Sequence, residues 1–167
     1  VAHGLWVGIG LAAAGRRWRI TRRAAVATLG MAVVPDLAQL LPLIAETFEP
    51  GGVTVLTAYV SALPGFEPHL PPLVALLTHH LHCIMHSAVV AGAVTGLAWL
   101  VSRSFWLPLL GWWSHIVIDV FTHSSEYYPS PVLYPITDRG FDGIAWPTPW
   151  FMALNYAALG IAGLWLW

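Results

Sequence analysis

Along this chain, long apolar stretches alternate with short clusters of arginine or of proline and acid. Five stretches predict helices, over 1–15, 24–45, 72–101, 105–124 and 149–167. At about 1.5 Å per residue most of them reach across a ~30 Å hydrocarbon core, whereas 1–15 falls short of it. Polar residues enter the stretches singly and at helical spacing. The clearest case is "GWWSHIVIDVFTH" (111–123), where His115, Asp119 and His123 recur every fourth residue and so share one helix face.

Composition makes the surroundings of these helices a bilayer rather than water. Hydrophobic residues make up 57% of the chain and charged residues 9%, where soluble domains carry about a quarter charged residues. Mean hydropathy is +0.69. The fold expected is all-α: a polytopic membrane helix bundle of about five transmembrane helices, one domain over 1–167, with two Pro-rich extracytoplasmic loops. A net charge of −1 leaves no electrostatic footprint for nucleic acid. Cys83 stands alone, which excludes an intrachain disulfide and a cysteine-built zinc site. Oligomeric state is left open.

Charge then orients the helices. Arg16, Arg17, Arg19, Arg22, Arg23 and Arg103 lie in the connections 15–23 and 102–104. The connections 46–71 and 125–148 carry Glu46, Glu49, Glu67, Glu126, Asp138 and Asp142, with Arg139 as their one base. Under the positive-inside rule the Arg loops are cytoplasmic and the acidic loops face outward. Trp18, Trp99, Trp106, Trp146, Trp150 and Trp167 fall near span ends, as interfacial aromatics do. Gly4/Gly8 and Gly92/Gly96 have the spacing that permits close helix packing.

With the arginines as a ruler, His3, Asp36 and His115 lie about 20 Å from the cytoplasmic side, and Asp119 and His86 about 25 Å. His82 and His123 come out higher, at roughly 30 Å. Four helices thus deliver imidazoles and carboxylates to one layer in the outer half of the membrane. Ionisable groups there are costly unless paired, hydrated or metal-bound. Imidazole with carboxylate is a ligand set for zinc and related divalent ions, and two carboxylates on separate helices can bridge a second ion. A proton relay or a structural hydrogen-bond network is the alternative. Pro35, just before Asp36, opens the second helix by removing a backbone hydrogen bond. Ser87 is placed either to donate to a ligand or to pack within its helix. Arg139 either meets a phosphate or pairs with Asp138 or Asp142. His79 and His80 are expected to pack, and His69 to lie on the surface.

An N-terminal His in "AHGLWVG", a "PD" in the second helix, a "HS" pair in the third, and "GxxxHxxxDxxTH" before a Pro-containing outer loop resemble the YdjM-type inner-membrane metal-dependent hydrolases. Where that family often has "HRGxTHS", this chain has "LHCIMHS" (81–87): His86 and Ser87 are kept, Leu81 replaces the first His, and His82 lies one residue on. The order of ligands is also similar to the soluble zinc-dependent phospholipase C and single-strand nuclease superfamily. The resemblance implies His3, Asp36, His86, His115 and Asp119 as direct ligands, with His123 at a third site or behind the ligands. It implies one to three divalent ions, most naturally zinc, and in that superfamily the N-terminal residue also coordinates metal. The expected function is hydrolysis of a lipid ester or phosphoester by metal-activated water, with Asp36 or Asp119 taking the proton, in a bacterial or archaeal inner membrane. The other readings are a non-catalytic membrane protein with a structural metal or an ion or proton relay, and a membrane interaction subunit.

Overall fold

The computed structural model describes residues 2–16, 19–62, 66–125 and 129–166. Among them are α1 (Ala2–Gly15), α2 (Arg22–Ala38), α3 (Leu41–Glu46), α4 (Gly52–Ser61), α5 (Pro72–Met85), α6 (Ala88–Ser102), α7 (Leu109–Thr122) and α8 (Pro149–Leu166), and no strand. Trp18, Trp167, Glu126 and the N-terminal residue Val1 lie outside the described residues.

Local chemistry starts the helices. Thr21 Oγ1 accepts from the Ala24 N–H to cap α2, and Ser87 Oγ accepts from Val90 to cap α6. Pro72 and Pro149 open α5 and α8, where a missing N–H costs nothing. Three of the five apolar stretches divide or shift at their ends. The second becomes α2 and α3. The third is not one helix: α5 and α6 meet at a 61° bend. The break falls at His86 and Ser87, where the Ala88 N–H leaves the helical ladder and both side chains bond backbone carbonyls. His86 Nδ1 donates back to the His82 carbonyl at 2.8 Å, and Ser87 Oγ donates to the Tyr134 carbonyl at 2.5 Å. Ala88 N–H completes the joint by donating to the Val132 carbonyl at 2.9 Å.

The connection 46–71, expected as an irregular cap, contains α4. Its Val53, Thr54, Val55, Thr57 and Val60 are strand-favouring residues in a helix, held by packing against α3. Gly51, at φ 84°, and Gly52 make the corner between them; a Cβ on Gly52 would lie 1.8 Å from the Glu46 carbonyl oxygen. The connection 125–148 is irregular where it is described, as expected.

The axis of the bundle is the α2–α7 pair, its most extensive helix contact; α1 packs on α2, α7 and α8, and α5 on α2, α3 and α6. Gly4 and Gly8 meet Val33 and Leu29 of α2 at ordinary contact distance. Gly111 is the close approach: a Cβ there would lie 2.0 Å from the Thr28 carbonyl oxygen and 2.9 Å from the Ala32 nitrogen. α1 and α8 run parallel. Trp6 Nε1 donates to Asn155 Oδ1 at 2.8 Å, and ten residues on, Arg16 donates to the Leu166 carbonyl at the end of α8.

Burial is mixed: polar side chains lie inside beside apolar ones, and many large apolar residues lie outside. His86, Ser87, His115, Asp119 and Ser130 are at most 1% exposed, while Leu97, Val101, Phe121, Leu154, Ile161 and Leu164 are more than half exposed. α8 is long and apolar enough to cross a membrane, and α5 with α6 passes the same test as a bent pair; α1, α4 and α7 are apolar but shorter.

If Gly111 sets the α2–α7 spacing, Gly111→Ala lowers thermal stability in detergent by at least about 1–3 kcal/mol, the usual cost of overpacking. Gly96→Ala, where the new Cβ meets nothing within 4 Å, leaves the unfolding midpoint unchanged or slightly raised. Equal losses in the two variants would contradict the assigned contact.

Candidate metal centre

Gly111, His115 and Asp119 stand one helical turn apart on the face of α7 that meets α2. The close approach at Gly111 brings the His115 ring to α2, where Nδ1 donates to the Ala32 carbonyl at 2.8 Å. His86 is held in the same way by the His82 carbonyl. A carbonyl oxygen only accepts, so both rings carry a proton on Nδ1 and turn Nε2 inward. Those two Nε2 atoms lie 3.1 Å apart.

Two carboxylates face the same point. Asp119 Oδ2 is 3.0 Å from His86 Nε2 and 3.2 Å from His115 Nε2, and Asp36 Oδ1 is 3.9 and 3.5 Å from them. One ligand atom from each of Asp36, His86, His115 and Asp119 falls within 4.8 Å of all the others. The other oxygens turn toward α1. Asp119 Oδ1 lies 2.8 Å from His3 Nε2, and Asp36 Oδ2 lies 3.9 Å from His3 Nδ1. The His3 ring sits 4.4 Å from that of His115.

The donor chemistry fits a cation. Asp119 is fully buried, and neither of its oxygens receives an aligned hydrogen bond, despite nitrogens within 2.8–3.2 Å. A buried carboxylate ringed by imidazole nitrogens at these distances is satisfied by protons on those rings or by an ion in their place. The carbonyl partners of His86 and His115 are the orienting shell that metal-binding imidazoles have.

The sequence-expected residues separate into three groups. His3, Asp36, His86, His115 and Asp119 come together as the depth ruler implied. His82 and His123 are adjacent to them. The His82 ring stacks on His86 at 4.1 Å, and His123 Nδ1 is 3.7 Å from Asp119 Oδ1 and 3.2 Å from the Asp119 carbonyl oxygen. α7 ends at Thr122, so His123 reaches the site from an extended residue and not from the helix face. Ser87 and Arg139 stand apart. The Ser87 hydroxyl is committed at both ends, to Tyr134 and Val90, so the expected catalytic donor is instead the cap that holds the α5–α6 break. Arg139 is exposed, its backbone N–H on Thr137, and it does not line the cavity described next. His79 faces Cys83, His80 faces Tyr134, and His69 is exposed.

A cavity of about 430 Å³ opens above the cluster, with His3, Asp36, His82, His86 and His123 in its wall. Trp6, Trp146, Phe151, Met152 and Tyr156 make much of the rest, and Glu67 and Tyr59 add polar groups the sequence pattern did not single out. The Asp36 side chain is 44% exposed, against 0–1% for His86, His115 and Asp119. The outer loop closes over the end of α7: Gly143, Ile144 and Trp146 N–H groups donate to the carbonyls of His123, Phe121 and Thr122. Gly143 has to be glycine, because a Cβ would meet the Phe121 and His123 oxygens at 2.7 and 2.8 Å. Nearby, the Ser125 N–H donates to Asp142 Oδ1 at 2.7 Å and holds that exposed carboxyl below its ordinary pKa.

No protein-family model matches this chain, and neither a curated protein nor a solved structure matches it.

Two outcomes check these assignments. Protein purified without chelator carries divalent metal, and His115→Ala and Asp119→Ala each lose it, as plasma emission spectroscopy of the dialysed variants shows; unchanged content in both would remove these ligands. Ser87→Ala keeps the metal but loses about 1 kcal/mol of stability, the worth of a helix cap, in thermal unfolding.

Proposed function

We propose that the chain is a membrane-embedded, metal-dependent hydrolase that cleaves an ester or phosphoester bond of a lipid on the extracytoplasmic side. The observation that carries this reading is the exposure gradient across the cluster. His86, His115 and Asp119 are buried, with His86 at the cavity wall, and the fourth donor, Asp36, is much more exposed and faces into the cavity. A structural metal site fills every position with buried protein donors, whereas a catalytic one keeps a side open.

His86, His115, Asp119 and Asp36 would hold one ion, and the outer oxygens of the two carboxylates, with His3 and His123, would suit a second. A divalent ion there supplies a Lewis acid and lowers the pKa of water toward neutrality. Asp36 is the carboxylate placed to accept the proton of the attacking water and return it to the leaving oxygen. The aromatic wall of Trp6, Trp146, Phe151 and Tyr156 excludes bulk water around the reacting bond. The resemblance in the "PD", "HS" and "GxxxHxxxDxxTH" segments points to the same chemistry and to zinc as the ion.

For the membrane we propose five crossings, α1, α2, the bent α5–α6 pair, α7 and α8, with the Arg connections in the cytoplasm of a bacterium or archaeon. The parallel run of α1 and α8 is what an odd number of crossings requires. The exposed apolar residues support it further: lipid is the solvent in which an apolar exterior is stable.

Turnover of a panel of phospholipids in mixed micelles tests the reading. Release of water-soluble product is expected, abolished by chelator and restored by zinc. Asp36→Asn lowers kcat by about 100-fold or more, the usual contribution of a positioned base. Metal-replete protein that turns over nothing in the panel would favour the non-catalytic alternative.

A further inference from the structure

A second cavity, of about 660 Å³, runs along α1, α2 and α7 on the side of the bundle toward the Arg connection 15–23. It adjoins the metal-site cavity, and Trp6 and Ile118 line both. Its walls include Gly10, Leu11 and Ala14 of α1, Ala24 of α2, and Leu107 and Leu110 at the start of α7. From Trp6 to Ala14, and again from Ile118 to Leu110, the wall advances about 12 Å, and Arg19, Ile20 and Thr21 extend it further. That is close to the hydrocarbon depth of one leaflet, about 15 Å.

The hydroxyls in this wall are already engaged with their own helices. Thr28 donates to the Ala24 carbonyl, Ser114 donates to the Gly111 carbonyl, and Thr21 caps α2. Arg19 is the charged residue of the wall, and it stands where the groove meets the Arg connection. The groove therefore offers an occupant dispersion contact along its length and hydrogen bonds almost nowhere.

We propose that this groove binds one hydrocarbon chain of the substrate lipid, with Trp6 and Ile118 at the point where chain gives way to scissile headgroup. The proposal rests on the hydrolase reading for the identity of that lipid as substrate. It accounts for the depth of the metal site. A bond that must sink below the outer surface to reach His86 and His115 has to send its attached chain further down, and the groove is the apolar space that adjoins the site there. Gly10 and Ala14, one turn apart, give the groove its width, and a Cβ at Gly10 meets nothing within 4 Å.

The test is photo-crosslinking of full-length protein in phosphatidylglycerol micelles, using a phosphatidylglycerol with a diazirine at the end of one acyl chain. Adducts are expected on residues 7–14 and 107–114. A probe carrying the diazirine near the acyl carbonyl moves them to Trp6 and Ile118. Gly10→Trp fills the groove and lowers groove adducts by about 10-fold or more, a modest overpacking cost. Ala14→Phe does so from a second position should Gly10→Trp fold poorly. Gly160→Trp on α8, another open glycine outside both cavities, leaves them unchanged. Adducts spread evenly over the outer faces of α5, α6 and α8, and indifferent to Gly10→Trp and Ala14→Phe, overturn the proposal. Turnover measured on the same preparations keeps the two claims apart. Hydrolysis with scattered labelling removes the chain site alone, and groove labelling without hydrolysis removes only the substrate role of the bound lipid.

Discussion

Two imidazole nitrogens face each other across 3.1 Å in a buried site, and neither ring is free to turn away. Each is tied through Nδ1 to a backbone carbonyl, His115 to Ala32 and His86 to His82. Two carboxylates close on the same point. Without a cation this arrangement concentrates lone pairs and negative charge where solvent cannot screen them, at a cost of several kcal/mol per buried ion. With one, the same arrangement becomes a ligand set whose orientation is prepaid by the fold.

Much of the architecture follows from holding those groups in place. Gly111 removes a side chain so that α7 can approach α2 closely enough for His115 to reach Ala32. The α5–α6 break turns His86 inward at the end of one helix, and Ser87, Tyr134 and Val132 staple the joint. Trp112 reinforces it by donating to the Met85 carbonyl left exposed at the end of α5. The outer loop satisfies the last carbonyls of α7 beside His123. Polar groups are buried at the site beside an apolar core, and many large apolar side chains lie on the periphery.

How much of this the sequence could reveal depended on the kind of signal. Helix positions and the meeting of His3, Asp36, His86, His115 and Asp119 followed from apolar run lengths and a fixed rise per residue, which are regular quantities. Departures came where side chains compete with the backbone. The apolar pattern runs straight through 86–87, so nothing periodic marks the break, and the loop that holds it lies 47 residues away in sequence, at Tyr134. α4 was hidden by β-branched residues whose preference tertiary packing overrides. Ser87 looked chemical because it stands beside His86, yet its hydroxyl is occupied by Tyr134 and Val90. Asn155 is the opposite case: a lone amide in the apolar run of α8 was a legible signal, and it anchors the Trp6 indole where the two cavities meet.

Anomalous X-ray scattering from crystals of the metal-loaded protein, collected on both sides of the metal's absorption edge, addresses the central claim most directly. A peak about 2.0–2.2 Å from Nε2 of both His86 and His115 and from a carboxylate oxygen of Asp119 is the expected result. Density confined to other groups, with those three side chains bonded only to one another, would contradict it.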